Sequence, residues 1–243
     1  MENINPPEKA APATASSRKI FTFARLTDLS SRLLPAAFFL MLVMLRMGDI
    51  VVFVRTAEAK NIEGGQLHLY ADIGARASVI LFLLLMVVLF VIRTPPIKKA
   101  EGIFPRVTAI VGTFFMSIVT VFPRASLGLW STVTATLLTL FGTALSIFVL
   151  TRLGRSFSLM AEARRLVTNG PYSLVRHPLY LAEEIAMLGA AVQFFSIYTL
   201  LIFVIHILVQ IQRMKNEEAV LRQVYPEYVD YQARTARLIP GVY

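Results

Sequence analysis

The run LYLAEEIAMLGAAVQFFSIYTLLIFVIHILVQI, Leu179 to Ile211, decides the fold of this chain. It is almost wholly apolar. Wound as a single helix at about 1.5 Å per residue it would overreach the roughly 30 Å of hydrocarbon in a bilayer by more than half. It therefore reads as two membrane helices joined near Gln193–Ile197 in a tight hairpin. Outward from it lie four further apolar stretches: Leu33 to Val54, about Ile73 to Ile92, the shorter Val107 to Phe122, and Leu127 to Leu150. The expected fold is all-α, a polytopic transmembrane helical bundle of about six spans.

Composition agrees. Of 243 residues, 56% are hydrophobic and 16% charged, and the mean hydropathy is +0.64. A soluble domain has about 45–50% apolar and 25% charged residues, so the excess here must be solvated by lipid. No cysteine occurs, which excludes disulfides and thiolate metal sites. Residues 1–19 are polar, rich in Pro and Ala, and lack the apolar core of a signal peptide; they read as a disordered tail. Residues 20–150 then form the N-terminal transmembrane helices, and 151–243 a separate C-terminal region.

The basic residues set the orientation. Lys9, Arg18, Lys19, Arg25 and Arg32 precede or open the first span. Arg93, Lys98, Lys99 and Arg106 follow the second. Arg152, Arg155, Arg164, Arg165 and Arg176 follow the fourth, and Arg213, Lys215, Arg222, Arg234 and Arg237 the sixth. These are 19 of the 24 Lys and Arg residues. The alternate loops hold only Arg55, Lys60 and Arg76, then Arg124, then none. Basic loops stay on the cytoplasmic side, so both termini are expected inside, with Trp130 at the outer interface. This expectation is of an integral membrane protein of the bacterial inner membrane or endoplasmic reticulum type. The net charge of +9 is thereby accounted for without nucleic acid; anionic lipid headgroups are the counter-ions. No internal repeat, phosphate loop or metal-ligand spacing is present, so no metal site is expected.

Ionisable groups in a membrane are costly and mark function. Asn169-Gly170-Pro171 is a turn signal, and Pro178 suits the first turn of a helix. Arg176 and His177 thus stand at the cytoplasmic start of the fifth span, where free N–H groups and the helix dipole favour an anion. At about 100° per residue, His177, Tyr180 and Glu184 share a face, with Glu183 beside them. On the sixth span His206, Gln210, Arg213 and Glu217 form a polar stripe in which Arg213 and Glu217 are spaced to pair, while Glu218 points elsewhere. The two stripes either meet in a cleft open to the cytoplasm or glue the helices together, His206 bonding Glu184. Arg46 and Asp49 pair in the first span or touch substrate, and Arg76 snorkels outward. Tyr228 and Tyr231, three apart, belong to an amphipathic tail helix that lies on the membrane surface or closes the cleft.

The set Gly170-Pro171-Tyr172, Arg176-His177-Pro178-Leu179-Tyr180, Glu217-Glu218-x-x-Leu221 and Tyr228-x-x-Tyr231 before Ile239-Pro240 resembles the isoprenylcysteine carboxyl methyltransferase family, which is related to the membrane phospholipid N-methyltransferases. The resemblance covers about residues 150–243; Ala182 stands where the family often has Gly. It implies an S-adenosylmethionine-dependent methyltransferase with a cofactor pocket in the C-terminal region and a lipophilic substrate that enters from the bilayer. Carried over, Gly170, Tyr172, Arg176, His177, Pro178, Tyr180, Glu217 and Glu218 bind the cofactor. A carboxylate acceptor needs no base, whereas an amine or hydroxyl does, and Glu184 or Tyr180 would supply it. Arg213 would hold an acidic acceptor or the cofactor's carboxylate. Two rival readings are a sterol-type membrane reductase using NADPH, and a non-catalytic bundle or transporter.

Overall fold

In the computed structural model, residues 15–59, 65–123, 125 and 128–241 are described. Seven α-helices appear among them: α1 (Ala15–Ala59), α2 (Gly65–Ile92), α3 (Phe104–Phe114), α4 (Leu129–Leu153), α5 (Pro178–Gln193), α6 (Ile197–Val224) and α7 (Tyr228–Arg234). The all-α expectation holds. Among the described residues, four segments are long and apolar enough to cross a membrane: Asp28–Thr56, Phe104–Val121, Trp130–Ser156 and Ile197–Val224. Two shorter apolar pieces, Arg76–Ile92 of α2 and the 16-residue α5, stand where the sequence predicts spans two and five. Many large apolar side chains of α1, α2, α4 and α6 face outward, Leu34, Val52, Leu137 and Leu208 among them, as lipid-solvated helices require. Of the stretch read as a tail, residues 1–14 lie outside the described residues, and from Ala15 the chain is already helical.

The helix ends follow local chemistry. The predicted break in the last apolar run falls as expected between Gln193 and Ile197. Ser196 caps α6 by accepting from the Thr199 N–H at 3.1 Å. Pro178 opens α5, where its missing N–H leaves no bond unmade. Beyond α3 the backbone tightens into a 3-10 helix, Phe115–Val121.

Two contacts position the site. The first is the close packing of α4 on α5. A Cβ at Gly142 would lie 2.4 Å from Ala186 N, and one at Gly189 2.7 Å from Ala135 O. Small residues let the two backbones touch, the usual means of helix association where lipid removes the hydrophobic drive. Ala182, with its carbonyl 2.8 Å from the same built Cβ of Gly142, belongs to this face. The second is the α1–α2 pair. Phe39 stacks on Phe90 at 5.5 Å, and Phe90 meets Phe157 edge-on at the same separation. A short antiparallel ladder, β1 (Lys98–Lys99) against β2 (Glu162–Ala163), ties the loop after α2 to the segment after α4. No periodicity in either two-residue strand announces this ladder.

Candidate active site

The site begins at the turn before α5. Gly170 has φ of +61°, the left-handed region that glycine enters without a Cβ clash. A 3-10 turn over Gly170–Ser173 follows and buries Tyr172, whose carbonyl accepts from the Tyr231 hydroxyl at 2.5 Å. Val175 then bridges Ala236 in parallel. The Arg176 and His177 N–H groups donate to the carbonyls of Ala236 and Arg237 at 2.8 and 3.1 Å. The C-terminal tail is thus laced to the start of α5.

Glu218 completes the lacing. It is 1% exposed. Its Oε1 accepts from Arg176 Nε at 3.0 Å, Arg237 Nε at 3.0 Å and His177 Nε2 at 3.1 Å. Its Oε2 accepts from Arg237 Nη2 at 2.9 Å. Arg176 also donates through Nη1 to the carbonyls of Gln232 and Thr235 at 2.8 and 2.5 Å. A buried carboxylate is tolerable only with such compensation, and here it joins three chain segments through charge-assisted bonds.

Above this clasp lies a cavity of about 630 Å³. One end is polar, walled by Tyr172, Arg176, His177, Tyr180, Arg213 and Glu217. The other is apolar, walled by Phe38, Phe39 and Leu42 of α1 and Val79, Phe82 and Met86 of α2. The Tyr180 hydroxyl donates to Glu217 Oε2 at 3.2 Å. The Arg213 guanidinium lies 5.0 Å over the Tyr180 ring and donates to Gln210 Oε1 at 2.8 Å and to the Leu159 carbonyl at 3.2 Å. Gly112 of α3 makes room for it, since a Cβ there would stand 2.3 Å from Arg213 Cδ. Tyr228 and Tyr231 of α7 also face the cavity, their rings 5.7 Å apart and edge-on. Burial, and after it the charge of Glu217, pushes the Tyr172 phenol up; burial pushes that of Tyr231 up to about 12. Both are neutral donors at physiological pH.

The structure therefore brings Tyr172, Arg176, His177, Tyr180, Arg213 and Glu217 to one space, and departs from the sequence expectation at several others. Arg213 and Glu217 do not pair: Arg213 turns onto Tyr180 and Leu159, and Glu217 takes the Tyr180 hydroxyl. Glu218 does not line the cavity; it supports Arg176 and His177 from behind. Glu184 is also off the wall. Its Oε1 stands 3.1 Å from His206 Nε2, a contact not aligned as a hydrogen bond, and Glu183 lines the cavity in its stead. The cause is the small face of α5: with Ala182 and Gly189 pressed on α4, the helix is rotated so that Glu183 faces inward and Glu184 faces α6.

Pro178 is buried as a helix starter and lines no cavity wall, and Gly170 borders not this cavity but an adjoining cleft of about 580 Å³, with Arg152, Arg155 and Arg165. Arg46 and Asp49 do pair, Nη1 to Oδ2 at 3.3 Å, although Arg46 also reaches the cavity wall. Arg76 lies 4.3 Å over the Phe53 ring. Sequence reasoning missed Glu162 and passed over Arg164 as one more loop cation; both line the cavity. The apolar end was missed as well, because lipid-facing and cavity-facing phenylalanines look alike in sequence. Among the described residues no group of three or more His, Cys, Asp or Glu is placed to hold a metal ion.

Residues 130–228, from α4 to the first residue of α7, match the family model described as phospholipid methyltransferase. This is not the isoprenylcysteine carboxyl methyltransferase family that the motifs resemble, but the membrane methyltransferase family related to it. Two curated relatives match as well. The cobalt-zinc-cadmium resistance protein CzcN of Cupriavidus metallidurans is 34% identical over 76 residues, 31% of this chain and 35% of that protein. The nickel-cobalt-cadmium resistance protein NccN of Alcaligenes xylosoxydans xylosoxydans is 31% identical over 80 residues, 32% of this chain and 38% of that protein. The matched part is thus little more than a third of either relative's length.

Proposed function

We propose that this chain is an integral-membrane methyltransferase that uses S-adenosylmethionine and methylates a lipophilic acceptor drawn from the bilayer. The observation that carries the reading is one continuous cavity in which the polar residues of the methyltransferase-like region meet an apolar wall from α1 and α2. Its volume of about 630 Å³ lies in the ~300–1,000 Å³ range of small-ligand sites. Its chemistry suits the donor: carboxylates for an ammonium and hydroxyls, arginines and a histidine for a carboxylate, and aromatic faces for a base. His177, Tyr172, Tyr180 and Glu217 would hold it.

Bound there, S-adenosylmethionine would supply a sulfonium methyl that is already activated for transfer. What remains for the protein is to align donor and acceptor and to exclude water. Glu218 fixes His177, the Glu217 carboxylate and the Arg213 guanidinium fix Tyr180, and α7 roofs the polar end with Tyr228 and Tyr231. For an amine or hydroxyl acceptor, Glu183 takes the proton-accepting place that helix spacing assigns to Glu184. A carboxylate acceptor, as in the isoprenylcysteine enzymes the motifs resemble, needs no such group. The distribution of basic loops supports six spans, cytoplasmic termini and a polar end that faces the cytoplasm.

The test is methyl transfer from labelled donor to a total lipid extract and to a prenylcysteine analogue, by the full chain purified in neutral detergent. Label in an organic-soluble product is expected. His177→Ala and Glu217→Ala are expected to abolish binding of S-adenosylhomocysteine while the protein stays inserted and monodisperse. Absence of both S-adenosylhomocysteine binding and lipid labelling in the unmodified protein would overturn the proposal.

A further inference from the structure

We infer that Arg164 is an anion seat inside the cavity, placed to hold the carboxylate or phosphate of an acidic ligand. Its side chain is 1% exposed, and it lines the cavity wall. Nη2 stands 2.6 Å from Glu162 Oε2, but Nε and Nη1 have no partner. A residue kept only to tie down Glu162 would need one donor. Two further nitrogens, with three N–H bonds between them, buried without acceptors are costly on a neutral side chain and more so on a cation.

Glu162 cannot neutralise this region alone. The same carboxylate accepts from Ser158 Oγ at 2.8 Å and lies 3.8 Å from Lys99 Nζ. Burial and the charge of Arg164 together push the nearby Arg93 down from its ordinary value. Arg213, on the same cavity, also has a buried Nε with no partner. The carboxylates that line the cavity from α5 and α6, Glu183 and Glu217, stand on other elements than the 158–164 segment that carries Arg164. An oxyanion beside Arg164 would take up the spare donors and the excess positive charge together. Two carriers have this chemistry: the donor's amino-acid carboxylate, and an acidic headgroup on the acceptor. Naming these carriers rests on the methyl-transfer reading; the seat itself rests only on the geometry.

Binding isotherms on the full chain in neutral detergent test it without turnover. The probes are dodecyl phosphate and dodecanol, and S-adenosylhomocysteine with and without its carboxylate. In at least one pair the acidic member is expected to bind about tenfold tighter, the lower end of what a charge-assisted bond supplies. Arg164→Lys, which keeps a cation for Glu162 but not the second and third nitrogens, is expected to erase that preference and to leave the neutral member's affinity unchanged. Arg164→Gln should do the same. A preference in the nucleoside pair assigns the seat to the donor; one in the dodecyl pair assigns it to the acceptor. No preference in either pair, or a preference that survives both substitutions, overturns the inference. If the nucleoside does not bind and no lipid is labelled, while dodecyl phosphate still outcompetes dodecanol through Arg164, the seat stands and the methyl-transfer reading falls.

Discussion

Replacing Glu218 by Gln leaves the shape of α6 intact and removes the one charge on which the clasp depends. Four donor contacts of 2.9–3.1 Å converge on that carboxylate, from Arg176, His177 and twice from Arg237. In Glu218→Gln an amide replaces one oxygen, turns two protons toward guanidinium groups, and leaves buried cations uncompensated. Breaking a buried ion network from one side costs about 3–5 kcal/mol. For a chain of this size that corresponds to a fall of roughly 6–20 °C in the thermal midpoint. The neighbouring Glu217→Gln is the internal control. Glu217 is half-buried and takes one hydrogen bond, from Tyr180 at 3.2 Å, so its loss should cost no more than about 1.5 kcal/mol. The assay is stepwise heating in neutral detergent followed by size-exclusion of the surviving monodisperse protein, with S-adenosylhomocysteine binding measured on each sample at low temperature. Glu217→Gln is expected to lose binding with a nearly unchanged midpoint, whereas Glu218→Gln loses the midpoint. Equal midpoints for the two variants, or a larger fall for Glu217→Gln, would refute the division of this acidic pair into one ligand-facing and one structural residue.

Gly142→Val and Gly189→Val each force a side chain into the facing helix backbone, so both should yield aggregated or protease-sensitive protein, whereas Gly74→Ala, which meets open space, should purify like the parent. Because burial raises the Tyr231 phenol to about 12 from an ordinary 10, its contribution to stability is whole below pH 10 and is lost as pH rises through 12. Tyr231→Phe should therefore lower stability at pH 8 and flatten the alkaline decline in thermal midpoint; an unchanged decline would count against it. The chain contains no cysteine, so single introduced thiols report topology cleanly. With the proposed orientation, Trp130→Cys should react with an impermeant maleimide in intact cells, and Asn169→Cys only after lysis; the reverse pattern would invert the bundle.

The sequence alone was enough for whatever depends on distance along the chain. Bilayer thickness is a ruler, so an apolar run too long for one helix had to break, and it breaks within the expected stretch, Gln193–Ile197. Pro178 marks the start of α5 because in a first helical turn its missing N–H leaves no bond unmade. The placement of His177, Tyr180, Arg213 and Glu217 on inward stripes was legible for the same reason: helical period is a local property. Adjacent residues were not separable in this way. Whether Glu183 or Glu184 enters the cavity, and whether Glu217 or Glu218 stays out of it, is decided by the rotation of each helix about its axis. That rotation is set by packing: by the small face of α5 against α4, and by Arg176 before α5 and Arg237 of the tail, which close on Glu218. Arg164 carried no signal in sequence, since what sets it apart is a pair of buried nitrogens that nothing nearby in space accepts from. Tertiary structure alone decided these points, because burial and partnership depend on groups far apart in the chain, which no local pattern records.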